Sequence, residues 1–225
     1  MSESIREALG LDAACSLGVA LTHRSWTEEN PGTRHNERLE YLGDAVLELC
    51  VTELLFRALP EADEGSLSRI RAALVKTGSL ASVARAWDLG EALRLGKGEV
   101  RSGGRTKESL LANAVEAILG AVYLSQGLAE CSRLVEHAFG ELVRGIDDPK
   151  GWGIDPKSAL QELTMAKWKL LPRYREVGRE GPPHELVFHI EVTVGERVCT
   201  SGRGLSKKTA ERAAASAALE HLHGE

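Results

Sequence analysis

Three carboxylates near the start of this 225-residue chain are spaced so that a helix would carry them on one face. Glu37, Glu40 and Asp44 lie three and four residues apart, and residues at that spacing are neighbours on a helix surface. Like charges held this close repel one another, and a bound cation would relieve the repulsion. The spacing therefore indicates half of a metal site. The alternative interpretation is an acidic helix face that is simply exposed to solvent.

A second segment carries residues that could face the first. Glu116 follows Asn113 by three residues in a stretch that is otherwise apolar and has helical spacing. An unpaired acid is costly to bury in such a helix, so a role in packing is a poor explanation for Glu116. The two segments together predict a metal site built between two facing helices.

The helices that must position these residues follow from the apolar pattern. Residues 36–58 keep apolar side chains at helical spacing and stop before Pro60. Further helices are predicted over residues 66–76, 79–87, 106–125 and 128–144, whereas residues 95–105 hold four glycines and are predicted to form a loop. The front part, residues 1–147, is therefore predicted to be an all-helical domain.

A break in this pattern separates the front part from the tail. Pro149, Pro156 and three glycines interrupt the helical spacing, and we expect a short flexible linker over residues 148–154. Residues 1–148 contain 16 Lys and Arg and 23 Asp and Glu, a net charge of −7, whereas residues 149–225 contain 12 and 10, a net charge of +2. Two domains with different surfaces are the commoner explanation of such an asymmetry.

In the tail the pattern changes from helix to strand and back. Asp155 followed by Pro156 begins a helix that runs to about Trp168. Alternating apolar residues predict strands over residues 186–194 and 197–201, an earlier strand is expected over 174–177, and an alanine-rich helix over 206–221 closes the tail. The order is α-β-β-β-α, which predicts an α+β domain over residues 155–225.

The last predicted helix begins with two cations. Ser206 is a favourable N-cap, but Lys207 and Lys208 then lie at the positive end of the helix dipole, which is unfavourable by about 0.3–1 kcal/mol each. A bound phosphate would reverse the sign of this effect. The alternative is a lysine pair exposed to solvent. Because the chain has only 10 aromatic residues, a duplex backbone is a better target than a single strand bound by base stacking.

Composition excludes several other classes of protein. The chain is 43% apolar and 27% charged, as ordinary globular proteins are. It has no apolar run of about 18 residues and no signal-peptide layout, so we expect a cytoplasmic protein without membrane association. The four cysteines lack paired spacing and a nearby histidine cluster, which predicts small core residues rather than zinc ligands or disulfides. They are Cys15, Cys50, Cys131 and Cys199.

Residues 36–47, Asn-Glu-Arg-Leu-Glu-Tyr-Leu-Gly-Asp-Ala-Val-Leu, resemble the signature motif of bacterial ribonuclease III, and the tail resembles a double-stranded-RNA-binding domain. Supporting matches lie at residues 21–25, 64–71, 95–99, 112–123, 157–162, 181–184 and 206–208. The resemblance implies an endonuclease that cuts double-stranded RNA and leaves 5′-phosphate and 3′-hydroxyl ends with a short 3′ overhang. It also implies processing of ribosomal RNA precursors and some messenger and transfer RNA precursors, and no small-molecule cofactor.

By position, the resemblance assigns roles to the acids of both segments. The implied ligands of Mg²⁺, for which Mn²⁺ could substitute, are Glu40, Asn113, Glu116 and Asp44. Asp44 would hold metal-bound water or orient the attacking hydroxide. Two further acids of the family's catalytic cleft, Glu37 and Glu64, have less defined roles. The implied catalytic set is therefore Asp44, Glu116, Glu40, Glu37 and Glu64. Members of the family form homodimers in which each subunit cuts one strand. Tyr41 lies at the position where the family has an aromatic side chain that inserts into the partner subunit.

In the tail, the resemblance implies contacts along one face of an RNA duplex. Ser158, Gln161 and Glu162 on the first helix would meet one minor groove, and His184, in the loop after the first strand, would reach the next. Lys207 and Lys208 would bind the phosphates between them, in a mode that spans about 16 base pairs and reads shape rather than sequence. For His184 the alternative is an ordinary exposed loop histidine.

Asn113 departs from the family pattern, which usually has aspartate at this position. An amide oxygen coordinates Mg²⁺ but is neutral, so the site carries one negative charge fewer. Either Asn113 is a variant within an active enzyme, or it silences cleavage and leaves a non-cleaving double-stranded-RNA-binding protein. We favour the active enzyme, because the other signature positions remain. A third alternative is a ribosome-associated structural relative, but such relatives generally lose the acids that this chain keeps.

Overall fold

The computed structural model describes residues 2–12, 15–153, 155–182 and 185–223, and it contains two compact units, Met1–Trp152 and Gly153–Glu225. The domain boundary and linker predicted at residues 148–154 stay a prediction. Part of this segment contacts the first unit, since Trp152 packs against its core and the Lys150 carbonyl accepts a hydrogen bond from Arg69 at 3.0 Å.

The first unit is helical, as predicted. Its elements, in chain order, are α1 (Ser2–Ala8), α2 (Arg24–Glu29), α3 (Glu37–Ala58), α4 (Glu64–Leu74), α5 (Thr77–Ala86), α6 (Leu89–Ala92), α7 (Lys97–Arg101), a 3-10 helix (Gly104–Thr106), α8 (Glu108–Gln126) and α9 (Leu128–Arg144). The long helices α3, α8 and α9 lie within two residues of their predicted bounds. Their buried faces form most of one core.

The prediction of a loop over residues 95–105 is wrong, because this segment contains α7 and the 3-10 helix. Contacts from distant parts of the chain outweigh the low helix propensity of glycine. The backbone N–H of Lys97 donates to Glu29 Oε1 at 2.7 Å, which caps the start of α7. Arg105 donates to the carbonyl oxygens of Gly90, Glu91 and Leu93 and so ties this segment to the end of α6.

Helices α3 and α8 touch through their backbones. A Cβ atom added at Gly43 would lie 1.7 Å from the carbonyl oxygen of Glu116, and one added at Gly120 would lie 2.2 Å from the carbonyl oxygen of Leu39. Both distances are far inside van der Waals contact, so only glycine fits at either position. The α3–α8 crossing therefore brings residues one turn on either side of Gly43 next to residues 113–116.

The start of α3 is fixed by Asn36, which is buried. Its side-chain amide donates to the carbonyl oxygen of Ala20 at 3.3 Å, and its backbone N–H donates to that of Thr22 at 2.9 Å. These bonds hold the first turn of α3, which carries the acids, against the segment before α2.

The second unit has the predicted α-β-β-β-α order. Its elements are α10 (Pro156–Trp168), β1 (Arg173–Glu180), β2 (Val187–Val194), β3 (Val198–Gly204) and α11 (Lys207–His223). The antiparallel sheet has the order β1-β2-β3, and Ile190 of β2 lies opposite Glu176 and Gly202. Ile190, Val192 and Val194 point toward the two helices and form the core with alanines of α11. The side chain of Asp155 caps α10, as its sequence predicted.

Within the described residues, no helix has the length and apolar character that crossing a membrane requires. All four cysteines are free thiols. Cys15, Cys50 and Cys131 are buried as predicted, whereas the prediction for Cys199 is wrong, since its side chain is exposed. It follows the inward-facing Val198 on β3, and successive side chains of a strand point to opposite faces.

We expect Gly43→Ala to destabilise the helical unit by about 3 kcal/mol or more, because the new methyl group must push α3 and α8 apart. The matched control is Gly98→Ala on α7, where an added Cβ meets no atom within 4 Å. Urea unfolding followed by circular dichroism measures both variants. Equal midpoints for the two would contradict the close crossing.

Candidate active site

The candidate site lies where α3 crosses α8. Helix α3 contributes Glu40, one turn before Gly43, and Asp44, directly after it, and α8 contributes Asn113 and Glu116. The amide of Asn113 donates a hydrogen bond to the carboxylate of Glu40, so the two helices meet through polar side chains as well as through glycine. The structure thus places close together the four residues that the family resemblance implied as metal ligands.

The charges of this cluster are not balanced. Burial, and then the neighbouring carboxylates of Asp44 and Glu40, raise the pKa of Glu116 to about 7. Burial, and then Glu37, also raise the pKa of Glu40, although the hydrogen bond from Asn113 partly offsets this. Both acids therefore hold their negative charge at a cost, which a cation would remove.

The residues present fit a hard divalent cation. Among the residues that the structure describes, no three His, Cys, Asp or Glu side chains converge closely enough to hold an ion by themselves. Mg²⁺ does not require this, because it usually keeps several waters and binds through one or two carboxylates. Three coupled carboxylates and one amide oxygen supply the all-oxygen set that Mg²⁺ prefers.

Two further predicted acids lie outside this cluster of four. Glu37 lies near two basic side chains, with Arg24 Nη1 3.8 Å from its Oε1 and His35 Nδ1 3.7 Å from its Oε2. Glu64 is the first residue of α4, where its exposed carboxylate accepts a hydrogen bond from Ser68 at 2.9 Å. Glu37 acts electrostatically on Glu40, whereas the contact of Glu64 is within its own helix.

Sequence reasoning did not find the partners of Glu37 or the glycines at the crossing. Arg24 and His35 come from segments without a regular pattern, so no signal in the sequence pointed to them. Gly43 and Gly120 had a signal, since each is a glycine inside a long helical pattern, where it lowers helix stability by about 1 kcal/mol unless packing requires it.

Helix α3 also presents an exposed apolar stripe. Tyr41 is 85% exposed, Leu49 53% and Phe56 70%. These residues are separated by eight and seven residues, so they lie along one side of the helix. Of these three residues, the sequence predicted a dimer contact only for Tyr41. Leu49 fits the general apolar spacing of the helix, and Phe56 was not part of any prediction.

The predicted RNA-binding residues that the structure describes lie on the surface of the second unit. Ser158, Gln161 and Glu162 are exposed on α10, three and four residues apart. Lys207 and Lys208 are exposed in the first turn of α11. His184 lies outside the described residues.

The start of α11 is capped as the sequence predicted, because Ser206 Oγ accepts a hydrogen bond from the backbone N–H of Thr209 at 3.2 Å. One feature was not anticipated: Lys207 forms an ion pair with Glu176 of β1 at 2.8 Å.

Comparison with known proteins assigns both units. Residues 16–142 match the family described as "Ribonuclease-III-like", and residues 156–222 match "Double-stranded RNA binding motif". The chain belongs to the ribonuclease III family. Curated proteins named Ribonuclease 3 are similar over most of their length. The protein from Geobacter sulfurreducens is 49% identical over 208 residues, which cover 92% of this chain and 84% of the relative. The protein from Thermobifida fusca is 46% identical over 218 residues, 96% of this chain and 90% of the relative.

A solved structure agrees with the first unit. The nuclease domain of ribonuclease III from Campylobacter jejuni is 38% identical, with a TM-score of 0.57, and the match covers 62% of this chain and 99% of that one. The chain is therefore an enzyme of the ribonuclease III type that carries a double-stranded-RNA-binding domain, as its motifs predicted. Enzymes of this family generally depend on a divalent metal ion.

In EDTA, we expect Glu116→Gln to stabilise this ribonuclease III at pH 8 and to lose most of that advantage at pH 5. The pKa of Glu116 is about 7 in the folded protein and 4.5 by reference. The protonated carboxyl therefore favours the folded state below pH 4.5, and this contribution is lost as the pH rises through 7. Because the side chain is partly exposed, we expect about 1 kcal/mol, or about 2–4 °C in Tm by calorimetry.

Glu141→Gln, which removes an exposed acid of α9, is the control and should behave like the wild type at both pH values. Adding Mg²⁺ should reverse the order, since a ligand that binds only the folded state stabilises it. A variant that is less stable than the wild type in EDTA at pH 8 would show that Glu116 is not under electrostatic strain.

Proposed function

We propose that this ribonuclease III cuts double-stranded RNA with Mg²⁺ held between α3 and α8, and that it leaves 5′-phosphate and 3′-hydroxyl ends. The observation that carries the proposal is the half-buried Glu116, whose pKa is raised to about 7 beside Glu40 and Asp44. A bound Mg²⁺ supplies Lewis-acid stabilisation of the phosphate and makes water a better nucleophile. Mn²⁺ prefers the same oxygen ligands and should substitute.

The chain's own residues have separate tasks in this proposal. Glu40, Asn113 and Glu116 would hold the ion, and the hydrogen bond from Asn113 would keep the Glu40 carboxylate oriented. Asp44 is exposed on the solvent side of the crossing, so it can accept a proton from the attacking water or orient that water. Glu37 adds negative potential next to Glu40 and is itself restrained by Arg24. Glu64, whose carboxylate contacts Ser68 of its own helix, has no specific step in this proposal.

In the second unit, we propose that α10 lies in a minor groove and that the start of α11 contacts phosphates. The exposed positions of Ser158, Gln161 and Glu162 support the first contact, and the exposed Lys207 and Lys208 support the second. His184 would reach the next groove. Precursors of ribosomal, messenger and transfer RNA are the proposed substrates, and the cytoplasm, where these are made in bacteria, is the proposed location.

We also propose that the enzyme is a homodimer in which each copy cuts one strand. Tyr41, Leu49 and Phe56 supply an apolar stripe on α3 that a second copy could cover. The nuclease domain from Campylobacter jejuni has structural flexibility in a "region involved in dimer formation". A two-fold axis beside α3 would bring two copies of the α3–α8 crossing to the same RNA duplex.

Cleavage of a long RNA duplex by purified protein in a Mg²⁺ titration tests the proposal, and Asn113→Asp is the informative variant. We expect both proteins to cut, and the variant to reach half-maximal rate at a Mg²⁺ concentration about 3- to 10-fold lower, because one more charge faces the ion. No strand scission by the wild type, with scission restored in the variant, would favour a non-cleaving RNA-binding protein. No scission by either would refute the proposed reaction.

We expect Tyr41→Ala to weaken the dimer by at least about 10-fold in Kd, since large aromatic side chains at interface centres contribute about 2 kcal/mol or more. Analytical ultracentrifugation over a concentration series measures this. Tyr123→Ala is a matched control, because Tyr123 is exposed on α8 rather than on the stripe. A wild-type protein that stays monomeric at all concentrations would contradict the proposed assembly.

A further inference from the structure

Glu176 of β1 lies between two cations at the start of α11. Its carboxylate pairs with Lys207 Nζ at 2.8 Å and accepts a hydrogen bond from Nε of Arg179. The side chain of Glu176 is only 25% exposed, whereas those of Lys207 and Arg179 are more than half exposed. The carboxylate of Glu176 is thus covered by Lys207 and Arg179, which both remain in contact with solvent.

A β-bulge creates this arrangement. Residues three apart in a regular strand point to opposite faces, but the register of β1 against β2 shifts between Glu176 and Gly178. After this shift, Glu176 lies opposite Ile190 and Arg179 lies opposite Phe188, so both face the helices. The Arg179 guanidinium also stacks on the Phe188 ring, 5.3 Å from its centre, which fixes its position beside Glu176.

The contact between sheet and helix is also fixed. A Cβ atom added at Gly204 of β3 would lie 2.7 Å from the backbone nitrogen of Ala210, so glycine allows the first turn of α11 to pack directly on β3. Lys207 therefore lies over the sheet at the position where Glu176 can reach it. Lys208 follows directly and forms no ion pair with any residue that the structure describes.

This geometry has a consequence for RNA binding, and it rests on the proposed phosphate contacts of Lys207 and Lys208. A phosphate that approaches Lys207 meets the carboxylate of Glu176, which already occupies one side of the ammonium group and repels a second anion. Removing the carboxylate would leave two uncompensated cations, Lys207 and Arg179, beside the positive end of the α11 dipole. Phosphate binding by the first turn of α11 and pairing with Glu176 are therefore in competition.

We propose that Glu176 is a built-in competitor for RNA phosphate, which weakens duplex binding at Lys207 and masks Arg179 as an additional phosphate contact. Lys208 then provides most of the phosphate affinity of this turn in the wild-type protein. The affinity for RNA and its salt dependence are therefore both lower than they would be without Glu176.

The matched control is Glu191 on the outer face of the same sheet. It pairs with Arg175 at 2.9 Å and its side chain is 26% exposed, so it resembles Glu176 in its arginine partner and in its exposure. Glu176→Gln and Glu191→Gln change the net charge of the domain equally. Any difference between them therefore reports the local competition and not the total charge.

Duplex binding by the full chain, measured by fluorescence anisotropy in EDTA over a salt series, tests the proposal. We expect Glu176→Gln to bind about two- to five-fold more tightly than Glu191→Gln at about 50 mM salt. Its slope of log affinity against log salt should be steeper by about one unit, as one more phosphate is neutralised. Equal affinities and slopes for the two variants, or weaker binding by Glu176→Gln, would overturn the proposal.

Two lysine variants provide an independent measurement. In the wild-type background, Lys207→Ala should reduce the duplex affinity and the salt slope less than Lys208→Ala does. In the Glu176→Gln background, the two lysine substitutions should reduce the affinity by about the same factor. Equal effects of the lysines in the wild type would overturn the competition even if Glu176→Gln failed to fold. If the wild type does not bind duplex, or Lys208→Ala has no effect, the proposed RNA contact itself is refuted.

Discussion

The backbone contact between α3 and α8 is the constraint on which the catalytic unit depends. Gly43 lies against the carbonyl of Glu116, and Gly120 lies against that of Leu39. At an ordinary interaxial distance of about 8–10 Å, the carboxylates on the two helices would be further apart and better solvated. The close crossing instead places the acids of one helix within electrostatic reach of the other. The repulsion in the site is therefore a product of helix packing and not only of sequence spacing.

This constraint gives Asn113 a definite physical role. Three carboxylates lie close together at the crossing, where burial, and then repulsion by Asp44 and Glu40, raise the pKa of Glu116 to about 7. A fourth carboxylate at position 113 would raise that repulsion further, whereas the amide donates a hydrogen bond to Glu40 and lowers the pKa of that acid. Asn113 thus favours the stability of the protein without metal, and aspartate would favour metal affinity. The two properties are opposed at a single position.

The sequence predicted the features that arise within one element and missed those that need two. The bounds of α3, α8, α10 and β2 follow from apolar periods and caps, whereas β1 and β3 each continue three residues beyond their predicted ends. The short helix α7 does not, because Glu29 and Arg105 hold it from outside. Metal-site candidates were found through spacing along each helix, but the contacts of Glu37 with Arg24 and His35 were not. Likewise, period-two alternation would place Glu176 and Arg179 on opposite faces, and only the bulge brings them together.

The two units differ in how far their charged side chains are compensated. At the α3–α8 crossing the chain supplies acids without enough cations, so the proposed metal ion would gain the full electrostatic benefit of binding. At the start of α11 it supplies cations and then compensates them with Glu176, so in the proposed binding mode RNA would gain less than the number of lysines and arginines suggests. A nuclease must release the duplex after cutting it, and product release limits the turnover of many enzymes. Phosphate contacts supply much of duplex affinity, so an acid that competes with phosphate in the proposed mode would keep binding reversible without changing the surface that recognises the duplex.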